Sequence, residues 1–184
     1  FRWAPDGSRL AYIADRNARF VFAIYTVKTG AYGRVKVHPD LTGEKDVFNG
    51  FKWAPDGSRL AYISDQDTEG ATELYTVLPD GSSNVKVHPE LPEGRGVGRG
   101  FKWAPDSSRL VYRADQDTAD VDELYSVPIA GPASSGVRLN KPLVGGQDVR
   151  PFPRITADSE RVVYVADQTT DEVFELYSVP IEGP

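Results

Sequence analysis

The chain contains no cysteine and no methionine. Without cysteine there is no disulfide framework, no thiolate metal site and no sulfur nucleophile. It starts at Phe1 with neither an initiator methionine nor a leader, and reads as a processed or excised piece of something longer. No apolar stretch comes near the roughly 20 residues that cross a bilayer as a helix, so membrane insertion is not expected. Cationic runs are equally scarce. Arg9, Arg16 and Arg19 stand apart, and the formal net charge of −6 argues against nucleic acid as a partner, because phosphate contacts need a basic surface. There is no G-x-S-x-G nucleophile elbow. The glycine-rich run Gly94 to Gly100 lacks the Lys-Ser/Thr ending of a phosphate loop and reads as a flexible connection.

What the sequence has in abundance is itself. Phe1 to Tyr12 is F-R-W-A-P-D-G-S-R-L-A-Y, Phe51 to Tyr62 is F-K-W-A-P-D-G-S-R-L-A-Y, and Phe101 to Tyr112 is F-K-W-A-P-D-S-S-R-L-V-Y. A fourth, decayed copy runs from Pro153 to Tyr164. A second motif follows each time: A-I-Y-T-V ending at Val27, E-L-Y-T-V at Val77, and E-L-Y-S-V at Val127 and Val179. Tyr12, Tyr62, Tyr112 and Tyr164 are spaced by 50, 50 and 52 residues, which marks a repeat architecture.

Within each unit, short β-branched and aromatic runs alternate with Pro-Asp-Gly punctuation, and no helical period is present. In the second unit Arg59 to Ile63 and Glu73 to Val77 read as strands, and Asn84 to His88 as a fourth. The first strand is read from the Phe-Lys-Trp run, closed by a turn on Ala-Pro-Asp. Four antiparallel strands in about 50 residues is the size of one propeller blade. The expected fold is all-β, with blades at about 1–46, 47–96, 97–147 and 148–184, the last without its fourth strand.

The run W-A-P-D-G-S-R-L-A-Y, then S-D, then L-Y-T-V resembles the repeat of TolB-type β-propellers, also found in the propeller domains of prolyl-oligopeptidase-like peptidases. The resemblance covers essentially the whole chain. It weakens in the fourth unit, where Ile155 replaces the tryptophan and Ala157 the proline. It implies a bacterial propeller, periplasmic or extracellular, that serves as a protein-binding platform. Catalytic residues are not part of the repeat, so none carries over, and no cofactor is expected.

Residues needed once per blade read as scaffold. Trp3, Trp53 and Trp103 are expected between adjacent sheets, the Tyr12 and Tyr25 series likewise, and Asp6, Asp56, Asp106 and Asp158 in tight turns. The loop Asp65-Gln66-Asp67-Thr68-Glu69-Gly70 places acids at alternating positions before a glycine, as the opening of a Ca²⁺ loop does. Asp65, Asp67, Glu69, Asp115 and Asp117 are therefore the metal candidates. A hairpin loop with Asx-type turns explains the same letters and is preferred, because Thr76 stands where the closing glutamate would be. His38 and His88, both in V-K-V-H-P, lie a full repeat apart and are read as strand ends stopped by Pro39 and Pro89.

A blade lacking its fourth strand leaves an open edge. Three outcomes fit, a closed four-bladed ring with an incomplete blade, an arc cut from a larger ring, or two arcs joined by a homodimer into an eight-bladed ring, and the arc is favoured over the closed monomer. The expected function is a non-catalytic scaffold or protein-binding module. Its alternatives are the non-catalytic propeller of a prolyl-oligopeptidase-like hydrolase, or a carbohydrate- or Ca²⁺-binding propeller.

Overall fold

The computed structural model describes residues 1–18, 21–129 and 132–184, and of residues 16–18, 49 and 99 the backbone alone. The expectation for Arg19, and for the side chain of Arg16, lies outside the described residues. Four sheets are built from consecutive strands. The first holds β1 (Arg2–Trp3), β2 (Arg9–Ala18), β3 (Val21–Lys28) and β4 (Arg34–Lys36). The second holds β5 (Val47–Trp53), β6 (Leu60–Ser64), β7 (Glu73–Val77) and β8 (Val85–Lys86). The third holds β9 (Val97–Trp103), β10 (Arg109–Ala114), β11 (Glu123–Pro128) and β12 (Val137–Arg138). The last has three strands, β13 (Arg154–Ile155), β14 (Arg161–Ala166) and β15 (Glu175–Pro180). All pairings are antiparallel between neighbours in sequence, the meander of a propeller blade. Among the described residues no helix is long and apolar enough to cross a membrane.

The chain falls into two compact units, Phe1–Val87 and His88–Pro184. In the first, Ile24 and Val37 of one sheet share a core with Phe51, Trp53, Leu60 and Tyr62 of the next. In the second, Leu124 and Leu139 pack with Val149, Val162 and Tyr164. Every residue of β6 and β7 is buried, as a strand covered on both faces must be. Burying such side chains supplies about 25 cal/mol per Å² of apolar surface and is the main drive to fold.

The turn between first and second strands follows its letters. Gly7 N–H donates to Ala4 O at 2.9 Å, and the Asp6 carboxylate accepts from Ser8 N–H at 3.0 Å. The same carboxylate bond recurs at Asp56, Asp106 and Asp158. The turn ends in a left-handed residue, Gly7 or Gly57 in the first two copies but Ser107 and Ser159 in the later ones, at φ 64° each.

Three expectations need correction. The glycine-rich run is no flexible connection: Val97 onward belongs to β9, and Gly96 N–H donates to Asp115 at 2.8 Å, pinning its entry. The fourth strand of the second blade is two residues, Val85–Lys86, because Val87 already turns to bond Leu74 O outside the regular ladder. The tryptophans are not equivalent. Trp53 is buried and donates Nε1–H to Arg2 O at 3.1 Å, and Trp103 is partly buried, but Trp3 is 55% exposed.

Candidate functional site

In the second, third and fourth blades the acidic loops sit between the second and third strands; their first aspartate turns inward, while Asp67, Glu69 and Asp117 stay at the surface. Asp65 is buried and bridges two backbone amides: Oδ1 accepts from Asp46 N–H at 2.6 Å and Oδ2 from Gly70 N–H at 3.1 Å. Asp167 repeats this with Asp148 N–H at 2.7 Å and Glu172 N–H at 3.0 Å. Asp115 accepts from Gly96 N–H. Each carboxylate thus ties the entry of a blade's first strand to its 2–3 loop. The next residue, glutamine, caps the second-strand tyrosine: Tyr62, Tyr112 and Tyr164 donate to Gln66, Gln116 and Gln168 at 2.6, 3.2 and 3.1 Å. Burial pushes these phenols up, Tyr164 to about 12 and the other two further, so they remain donors.

The third-strand tyrosines complete a second repeated network. Each stacks on its second-strand partner with ring centroids 5.5–5.6 Å apart. Tyr75 donates to Glu73 at 2.7 Å and Tyr125 to Glu123 at 3.0 Å, and both glutamates are buried. A base on the fourth strand neutralises each one. Lys86 lies 2.7 Å from Glu73 and 3.0 Å from Asp67; Arg138 lies 3.2 Å from Glu123 and 2.9 Å from Asp117. In the first blade Ala23 replaces the glutamate, and the buried Tyr25 hydroxyl has no partner among the described residues.

The five metal candidates are therefore placed as follows. Asp65 and Asp115 face backbone amides, Asp67 and Asp117 face bases, and the Glu69 carboxylate lies over Gly43. Among the described residues no three acidic or histidine side chains come together as a metal ion needs.

The histidines have a role that the sequence concealed. His38 is buried, its Nε2 accepting from Ile24 N–H at 3.1 Å and its Nδ1 donating to Pro39 O at 2.7 Å. Asn140 stands at the matching position of the third blade and copies both bonds: Oδ1 takes Leu124 N–H at 2.7 Å and Nδ2 donates to Lys141 O at 2.7 Å. Only His-to-Asn replacement across the repeats could have signalled this acceptor function in the letters.

The last blade breaks the pattern. Leu176 is 72% exposed, where Ile24, Leu74 and Leu124 are fully buried. Beside β15 runs a groove of about 480 Å³, with Tyr177, Ser178 and Val179 on one wall and Arg138 to Lys141 on the other.

Consecutive antiparallel sheets, a stacked tyrosine pair in each and an aspartate clamp in the later three fit a propeller, and a family comparison gives it a place. The model of the lipoprotein LpqB β-propeller domain matches residues 1–175. The chain belongs to that family. A search of curated protein sequences finds no match. Among solved structures, this LpqB-type propeller is similar to a TolB-like protein from Agrobacterium tumefaciens, with 16% identity and a TM-score of 0.58, covering 98% of this chain and 60% of that one. TolB from Acinetobacter baumannii gives 16% identity and 0.57, covering 97% and 40%. Dipeptidyl peptidase 4 from Porphyromonas gingivalis gives 12% identity and 0.71, covering 97% and 28%. At these identities the likeness shows the fold, and the chain spans less than two thirds of each of these proteins.

Proposed function

We propose that the chain is a non-catalytic propeller module of a longer, extracytoplasmic protein, and that it holds a protein partner. The observation that carries this reading is how the repeated polar residues are used. The aspartate, glutamine, tyrosine, glutamate and base of each regular blade bond to one another or to their own backbone. They build a rigid support, and rigid supports with variable loops are suited to presenting a surface. The extracytoplasmic assignment rests on the lipoprotein family and the TolB likeness. Two measurements test the reading. The folded chain is expected to show no turnover of ester and aminoacyl-anilide substrates and no labelling by a fluorophosphonate. In-cell photo-cross-linking from exposed Val144 and Phe152 of the full-length protein is expected to give a discrete partner band. Saturable turnover overturns the module reading.

A second reading, the propeller part of a peptidase, is favoured by the fold likeness to dipeptidyl peptidase 4, of which the chain covers 28%. A G-x-S-x-G motif elsewhere in the full-length gene decides for it.

A further inference from the structure

The blades share one polar network, and the first blade departs from it in a single direction. In the second blade the Tyr62 hydroxyl donates to Gln66 at 2.6 Å and accepts from Asn84 at 2.6 Å. Tyr75 donates to Glu73 at 2.7 Å, and Lys86 pairs with Glu73 at 2.7 Å and with Asp67 at 3.0 Å. The chain from Tyr12 to Lys36 is as long as that from Tyr62 to Lys86, so the positions match letter for letter. The first blade keeps both tyrosines, as Tyr12 and Tyr25, and the base, as Lys36. It has Arg16 for Gln66, Asn17 for Asp67, Ala23 for Glu73 and Arg34 for Asn84. Each of these replacements makes its position one charge more positive. The third blade keeps Gln116, Asp117 and Glu123 and does not share the reversal.

The reversal leaves a hydroxyl without an acceptor. Tyr25 is 3% exposed, and its buried oxygen has no hydrogen-bond partner among the described residues, whereas Tyr75 and Tyr125 donate to their glutamates. A buried hydroxyl left unbonded costs free energy that an acceptor on a ligand recovers. Lys36 faces Tyr25 as Lys86 faces Tyr75, and its side chain is mostly covered. Its ion pair among the described residues is with Asp40, an exposed residue of the following turn. The Arg34 guanidinium carbon stands 5.5 Å from the centre of the Tyr25 ring. What alanine lacks relative to glutamate is a methylene and a carboxylate, the non-hydrogen atoms of one acetate ion.

We propose that the first blade binds a small carboxylate between Ala23, Tyr25 and Lys36, in the place that Glu73 and Glu123 fill in their own blades. The Tyr25 hydroxyl donates to one ligand oxygen, Lys36 offsets the charge, and Arg34, exposed beside the ring, adds a second cation. The site goes beyond the protein-binding reading and does not depend on it. A free carboxylic acid and an acidic side chain on a peptide offer the same chemistry.

The test titrates the intact chain with sodium acetate against sodium chloride at constant ionic strength, following the melting temperature and the backbone amide resonances. Acetate is expected to saturate with a half-point at or below about 10 mM. It should raise the melting temperature and shift amides of β3 and β4 but not those of β7, β8, β11 and β12. Ala23→Glu supplies the missing group from the chain itself. It is expected to raise the melting temperature without acetate and to abolish the response to acetate. Tyr25→Phe removes no bond from the ligand-free chain and is expected to weaken acetate binding about tenfold. An end-capped Gly-Glu-Gly peptide that binds about tenfold tighter than acetate assigns the carboxylate to a polypeptide, and equal or weaker binding assigns it to a free acid. No saturation by acetate, saturation that Ala23→Glu leaves intact, or an equal response to chloride overturns the proposal.

Discussion

At the scale of single residues, the histidine and its asparagine stand-in make the sharpest prediction. Burial pushes the His38 imidazole below its ordinary value of 6.5, and the Pro39 carbonyl partly opposes this; the nearby Lys36 charge adds to the lowering and Asp40 works against it. The folded state holds the ring neutral because Nε2 must accept from Ile24 N–H. An unfolded chain takes up the proton near pH 6.5, so this contribution to stability is complete above that pH and is lost as pH falls towards the lowered folded value. Melting temperatures between about pH 7.5 and about pH 5 should therefore decline. His38→Asn should keep the fold and flatten part of that decline, as Asn140 makes both bonds without titrating. His38→Ala should cost about 1–3 kcal/mol at neutral pH, because it orphans a buried amide. The tyrosines give a paired test by urea denaturation. Tyr75→Phe loses the bond to Glu73 and should cost about 1 kcal/mol or more, whereas Tyr25→Phe removes a hydroxyl without a partner among the described residues and should be neutral or stabilising.

The loop between second and third strands shows what the letters could and could not reveal. Asp-Gln-Asp with a following glycine fits both a metal loop and a backbone clamp, because each needs carboxylates at close spacing. Only the chain path decides which amides lie within reach of Asp65, and one of them belongs to Asp46, 19 residues earlier. The clamp predicts that Asp65→Ala costs about 2–4 kcal/mol, two bonds to a buried charge. Asp67→Ala should cost under about 1 kcal/mol, since its pairing with Lys86 is half-exposed. Calcium and a chelator should each leave the melting temperature unchanged; a calcium-dependent rise that Asp65→Ala and Asp67→Ala abolish would restore the metal reading. The loop's last residue is left-handed in three blades, as Gly70, Asp120 and Glu172, with φ of 79°, 59° and 61°. Glu172→Gly should therefore stabilise by up to about 1 kcal/mol.

For the molecule as a whole, the four sheets were legible because tyrosines recurring every 50 residues leave few other folds, and Trp-x-Pro-Asp turns place the hairpins. Exposure at the terminal blades was not legible, because Trp3 and Trp53 carry the same local letters and differ only in what packs beside them. Trp3 at 55% and Leu176 at 72% are apolar positions that inner blades bury. The shared register has a cost in kinetics. Tyr12 meets Tyr25 just as Tyr62 meets Tyr75 and Tyr112 meets Tyr125, so a strand that joins the wrong blade satisfies nearly every local preference. Refolding from denaturant should then pass through mis-registered, long-lived species whose yield rises with sequence identity between neighbours. The few positions where the copies disagree, Ala23 against Glu73 or Gly57 against Ser107, act as addresses, and erasing them should slow the route home.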